Sequence, residues 1–126
     1  MTIKEVKDLL INTLKDLGYG EPRLQGSFEE DEAYPDSFIT FFLTDSPDLN
    51  FYNNKSNCTA YYFDVNFYSS DPDLVNTVPE TIADKLIEVG FIRQGKGSDL
   101  VSDYPTHTGW NLSLIYQEKL NIKEEK

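Results

Sequence analysis

The chain holds one cysteine, Cys58, and one histidine, His107. A thiol activated by an imidazole attacks carbonyl centres when the two lie within hydrogen-bond reach and a third group orients the base. Here Cys58 stands at the entry of a predicted strand. His107 lies in the turn-rich stretch Tyr104-Pro105-Thr106-His107-Thr108-Gly109. The expectation is a surface imidazole and a half-buried thiol rather than a catalytic pair. A zinc site needs several Cys or His ligands, and these two fall short of one. The run Glu29-Glu30-Asp31-Glu32 lacks the alternating Asp/Asn spacing and turn glycine of a calcium loop, and reads as a solvated loop. Gly95-Lys96-Gly97 is too short to cradle a phosphate and reads as a turn or bulge. Carboxylates are plentiful, but nothing selects two that face each other across a cleft. The expectation is a non-enzymatic chain without catalytic, cofactor-binding or metal-binding residues.

Length and charge bound the remaining functions. The chain has 126 residues, the size of a single domain with one core. Aromatic residues make up 13%, too many for a disordered chain and well suited to a sheet. Acids outnumber bases 22 to 11, a net charge of −11. Such a surface repels nucleic-acid phosphates and anionic membranes, so neither is an expected partner. A basic protein partner suits it, as does a surface that must not stick to DNA. The lone cysteine excludes an intrachain disulfide. The N-terminal residues lack a signal-peptide pattern and no apolar run is long enough to span a membrane, which points to the cytoplasm. Asn-x-Ser/Thr triplets at Asn54, Asn57 and Asn111 are expected by chance from the composition.

Periodicity places the elements. Ile3, Val6, Leu10, Leu14 and Leu17 recur at helical steps over residues 2–17, with Thr2 and Glu5 as a capping box and Gly18 and Gly20 at the end. A short strand is expected at Leu24 to Phe28. A better one runs from Ser37 to Thr44, and its two apolar faces require cover on both sides. Leu49, Phe51 and Tyr52 suggest a short extension between turn signals. In Thr59 to Tyr68, the residues Tyr61, Phe63, Val65 and Phe67 alternate with Tyr62, Asp64, Asn66 and Tyr68. Ser70 or Asp71 caps a second helix with Pro72 in its first turn, and Val75, Val78, Ile82, Leu86 and Val89 form its stripe. Pro79 predicts that the main helix begins there. A strand starts at Phe91, is interrupted at Gly95-Lys96-Gly97 and resumes from Asp99 to Asp103. Trp110 to Gln117 closes the fold, and residues 119–126 form a charged tail that frays. The expected class is α+β, a mostly antiparallel sheet of four to five strands with two helices on one face, in the order α-β-β-β-α-β-β.

Outward-facing aromatics are the strongest surface signal. If one strand face meets the helices, Tyr62 and Tyr68 lie on the other, joined by Phe38 or Ile39 and by Ile115; Phe38, Tyr62, Tyr68 and Ile115 are the candidates for a subunit interface. A further helix covering that face is the competing expectation.

The pattern from Tyr61-Tyr62-Phe63-Asp64-Val65-Asn66-Phe67-Tyr68 through Ser69-Ser70-Asp71 resembles the strand that precedes the second helix in siphophage and prophage tail-completion proteins. Leu86-Ile87-Glu88-Val89-Gly90-Phe91, where a Gly-Phe pair leads from helix to strand, is similar to theirs. So are Thr108-Gly109-Trp110, entering the last strand, and the N-terminal helix ending in Leu17-Gly18-Tyr19. The likeness is loose from about residue 20 to 58. It implies a tail-terminator subunit, forming a ring, typically hexameric, at the head-proximal end of the tail tube. Tube and head-connector proteins would be its partners, and its place the virion tail after assembly in the host cytoplasm. Glu29, Glu30, Asp31 and Glu32, and Phe51 with Tyr52, are candidate docking loops. The alternative is a small acidic inhibitor or immunity-type module that binds a basic protein; an enzyme relying on carboxylates, Tyr or Lys is a third.

Overall fold

The computed structural model describes residues 2–25, 35–45, 48–51, 55–100 and 106–119, with the strand pairing alone at 48–51, 55–58 and 118–119. Glu29 to Glu32 and Tyr52 therefore lie outside the described residues, and Phe51 is placed only by its pairing.

Helix α1 (Ile3–Leu14) starts as its sequence dictates: the Thr2 hydroxyl accepts from the Glu5 N–H while Glu5 accepts from the Thr2 N–H. It tightens into a 3-10 turn at Lys15–Leu17, and Gly18 caps it in the left-handed region. Helix α2 (Pro72–Glu88) is capped by Asp71, whose carboxylate accepts from the Asp73 N–H at 2.9 Å.

Pro79 does not divide α2, which corrects the expectation of a helix beginning there. Proline removes a single N–H and leaves the Val75 carbonyl without its intrahelical donor. The Pro79 ring is itself buried beside Val78 and Ile82, so burial of the continuous apolar stripe holds the helix together.

The strands are β1 (Arg23–Leu24), β2 (Ser37–Asp45), β3 (Asp48–Phe51), β4 (Lys55–Ser69), β5 (Phe91–Leu100) and β6 (Thr108–Lys119). The sheet runs β1-β2-β4-β6-β5, with β3 hairpinned onto the first half of β4. Every pair is antiparallel except β1 with β2, so the sheet is mixed. The predicted class stands, and so does the order of the two helices and the five strands of the main path; β3, expected as a short extension, adds a sixth strand.

Both helices lie on one face. Val6, Leu10 and Leu14 of α1 and Val75, Ile82 and Leu86 of α2 form one core with Ile39, Phe41, Phe63, Val65, Phe67, Phe91, Leu112 and Leu114. The alternating set Tyr61, Phe63, Val65 and Phe67 supplies the core side of β4. Burying some seventeen such side chains, at roughly 1.5–3 kcal/mol each for the larger ones, is the main favourable term.

Two glycines reshape the C-terminal hairpin. From Gln94 to Ser98 β5 advances four residues while β6 passes from Ser113 to Asn111, two; the two extra residues form a bulge at Gly95-Lys96-Gly97. Gly109, expected in a loop, lies within β6 opposite Tyr68. A Cβ there would come within 2.7 Å of the Tyr68 ring, so the glycine gives the ring its space.

Candidate functional site

Residues that alternate with the core positions form the open face of the sheet, and the register divides this face into three bands. At one end Phe38 faces Tyr68 across β2 and β4, and Tyr68 faces Gly109. In the middle Thr40, Asn66 and Asn111 align. At the other end Tyr62, Ile115 and Ile92 form a row across β4, β6 and β5, with Phe42 beside it on β2.

The first band is closed by the chain itself. The Phe38 and Tyr68 rings stack with centroids 5.1 Å apart, and His107 lies 5.6 Å from Phe38. His107 Nε2 is 2.8 Å from the Pro35 carbonyl oxygen and Nδ1 2.9 Å from the Thr106 hydroxyl. Phe38 and Tyr68 are 2% and 5% exposed, so they offer almost no area to a second chain, contrary to their expected role. The expected surface imidazole is likewise buried. The cover that β2 requires here comes from an aromatic stack and a histidine, and no helix supplies it among the described residues.

The middle band is polar and uncharged. Asn111 Nδ2 donates to Asn66 Oδ1 at 2.7 Å, and Asn66 Nδ2 donates to Gln25 Oε1 at 3.1 Å. The Thr40 hydroxyl donates to the same Gln25 oxygen at 2.5 Å. Thr40 and Asn66 are buried, so these bonds replace the water lost on folding. Gln25 arrives from the end of β1, where its N–H also donates to the Phe41 carbonyl. Sequence reasoning missed this network, although Thr40, Asn66 and Asn111 at alternating strand positions are a readable signal of it.

The third band is the exposed one. Phe42 and Ile92 are 47% and 49% exposed, Tyr62 is half-buried, and Ile115, covered between its neighbours, is 7% exposed. The structure thus brings together Tyr62 and Ile115 of the four expected interface residues. It adds Phe42 and Ile92, which sequence reasoning did not single out. Asp64 lies between Phe42 and Ser113, and Asp45, beyond a bulge in β2, is paired with Tyr62, so two acids flank this band.

On the opposite face, α2 meets the bulge. Arg93 Nη1 and Nη2 donate to the two carboxylate oxygens of Glu80 at 3.0 and 2.9 Å, and Nη2 also donates to the Lys96 carbonyl. Arg93 Nε has no hydrogen-bond partner among the described residues. Hydrogen bonds from Arg93, reinforced by its charge, hold the Glu80 carboxyl below the usual range, and Glu80 in turn pushes the guanidinium up. Asp73, Glu80, Asp84 and Glu88 follow at intervals of seven, four and four, which aligns four acids along the exposed side of α2.

Two shallow cavities lie beside this helix. One of about 110 Å³ is lined by Val75, Asn76, Pro79, Glu80 and Trp110, and one of about 310 Å³ includes Pro72, Asp99, Leu100 and Thr108. Each holds a single carboxylate, and Glu80 is already committed to Arg93. Cys58 pairs with Lys119, whereas Thr108, next to His107, pairs with Ser69 at the far end of the same ladder. Eleven residues of strand separate them, roughly 35 Å, so they form no catalytic pair. Among the described residues no group of three or more His, Cys, Asp or Glu is placed to hold a metal ion, and no helix is long and apolar enough to cross a membrane.

No protein-family model matches the sequence, and no curated protein matches it.

Proposed function

We propose that this chain is a non-enzymatic assembly subunit that associates with its own copies into a ring, and that the ring completes the tail of a long-tailed bacteriophage. The observation that carries the reading is the apolar band of Phe42, Tyr62, Ile115 and Ile92. It is left partly exposed on a sheet whose other face carries both helices. Contiguous apolar surface on a chain of net charge −11 marks a contact with another protein. The likeness of the Tyr61–Asp71 strand, the Gly90-Phe91 helix exit and the Thr108-Gly109-Trp110 entry to tail-completion proteins supplies the identity of the assembly.

In this reading the ring ends the tail tube at its head-proximal side and meets the head connector. Its work is recognition and closure, with no reaction and no cofactor. Six copies would carry 6 × −11 = −66 formal charges, and an acidic lumen lets DNA pass without holding it. Glu29 to Glu32, and Phe51 with Tyr52, are the proposed docking elements for tube and connector.

Native mass spectrometry of the full chain tests the association. Six copies of a 14.5 kDa chain give about 87 kDa. The expected result is a discrete oligomer that binds one end of purified tail tubes. A 14.5 kDa monomer at high concentration, with no binding to tubes, would overturn the proposal.

The aligned acids Asp73, Glu80, Asp84 and Glu88 favour a second reading, an acidic module that binds a basic partner through α2. It requires a monomer whose binding weakens steeply with salt.

A further inference from the structure

We infer that His107 is the pin of a clasp. Fixed as the Nε2–H tautomer, it joins the entries of β2 and β6 to the start of α2, so that these three segments open together rather than one by one.

The tautomer follows from the partners. A carbonyl oxygen only accepts, so Nε2, 2.8 Å from the Pro35 oxygen, carries the proton. Nδ1, 2.9 Å from the Thr106 hydroxyl, then accepts from it. Proline has no N–H, which leaves the carbonyl as the one backbone group through which Pro35 can bond. The ring is 8% exposed and lies beside Phe38. Both nitrogens are engaged inside the chain, so the side chain holds a position rather than offering a base or a metal ligand.

From Pro35 the connection continues residue by residue. The Asp36 carbonyl accepts from the Ser70 N–H at 2.8 Å. The Ser37 and Ser69 hydroxyls are 2.9 Å apart, and Ser69 Oγ accepts from the Asp71 N–H at 3.0 Å. Asp71 is the cap of α2. Three consecutive residues, 35 to 37, thus meet His107 ahead of β6, Ser70 ahead of α2 and Ser69 at the end of β4. Ser69 itself pairs with Ser37 and with Thr108, so two ladders end at the same place. Strand and helix ends ordinarily open singly, at little cost. Here the last bonds of two ladders and of one helix share partners, so releasing His107 loosens the Pro35–Ser37 segment on which the Ser70 and Asp71 amides depend. The Phe38–Tyr68 stack, opposite Gly109, lies one residue inside the clasp, and opening lets water reach both rings.

Nuclear magnetic resonance of the full chain tests both parts. Long-range proton–nitrogen correlation of the imidazole above neutral pH is expected to place the proton on Nε2; a proton on Nδ1, or on both nitrogens, would overturn the tautomer. Native-state hydrogen exchange tests the joint opening. His107→Gln keeps an amide N–H within reach of the Pro35 carbonyl, whereas His107→Asn is too short to reach it. In His107→Asn the Ser70 and Asp71 amides are expected to exchange about fivefold faster, the effect of one lost hydrogen bond. The Gly90 amide, bonded to the Ile87 carbonyl at the other end of α2, should keep its rate, and His107→Gln should restore the parent rates. Ser37→Ala, which leaves the ring in place, is the second variant should a histidine substitution fail to fold, with the same change expected at Ser70 and Asp71. Unchanged Ser70 and Asp71 rates, a rise that Gly90 shares, or a Gln variant no better than the Asn variant would overturn the clasp.

Discussion

Trp110 donates its indole N–H to the backbone carbonyl of Lys96 at 2.9 Å, fourteen residues away. The same oxygen accepts from Arg93, so one carbonyl of the bulge ties β5 to β6 and, through Glu80, to α2. Gly97 makes the approach possible. Its φ is +94°, and a Cβ there would run into the Asn111 carbonyl and the Trp110 indole. Gly97→Ala is expected to destabilise the chain by about 2–3 kcal/mol, from backbone strain and steric overlap together. Urea unfolding followed by the fluorescence of the single tryptophan measures it; an unchanged midpoint would refute this account of the bulge.

Gly109 gives a second steric prediction. Gly109→Ala forces a methyl group to within 2.7 Å of a Tyr68 ring that is already stacked on Phe38, at an expected cost of about 1–3 kcal/mol. The cost should largely disappear in a Tyr68→Ala background, because the two changes share one contact. Additive effects in the double-mutant cycle would contradict it.

The polar band predicts a loss by desolvation. Asn66→Ala removes the acceptor of the Asn111 amide and a donor to Gln25, leaving Thr40 and Gln25 as the remaining pair. The expected loss is about 1–3 kcal/mol, the cost of buried polar groups left without partners. Chemical denaturation of Asn66→Ala beside Asn111→Ala measures it, and the Asn66 change should be the larger because Asn66 joins both neighbours.

The Glu80–Arg93 pair sets a pH dependence. The Glu80 carboxyl is held below its ordinary value of 4.5 in the folded chain, chiefly by hydrogen bonds from Arg93. A carboxyl depressed on folding stabilises the fold above its unfolded value, and the contribution is lost as pH falls through the folded value. Glu80→Gln should therefore lower the melting temperature slightly at neutral pH, and the gap to the parent should close in acid below the carboxylate range. Glu80 is exposed, so the gap should also shrink in high salt. A gap independent of pH would remove the charge from the explanation.

Sequence reading succeeded where the signal is local. The Thr2–Glu5 box, the Asp71-Pro72 start and the alternation in β4 and β6 each rest on residues a few positions apart, and each is found in the structure. It failed where the deciding neighbour is distant. Phe38 and Tyr68 read as outward aromatics, but their cover includes His107, whose ring nitrogen meets the Pro35 carbonyl across 72 positions. Pro79 read as a helix boundary because the local rule ignores the burial that keeps α2 continuous. Of the third band, Tyr62 and Ile115 were readable from alternation. Ile92 and Phe42 became apparent once the register aligned them, since pairing across strands is not written in the spacing along any one of them.

The fifteen-residue β4 bonds to β2 and β3 on one side and to β6 on the other. Its formation must wait for segments from both ends of the chain, which makes folding slow relative to a helical protein of this length. Once formed, its amides can exchange with solvent only when the whole sheet opens, so they should be the most protected in deuterium exchange. A chain that lacked β6 would expose one flank of β4 as an adhesive template, and β6 is the strand that covers it.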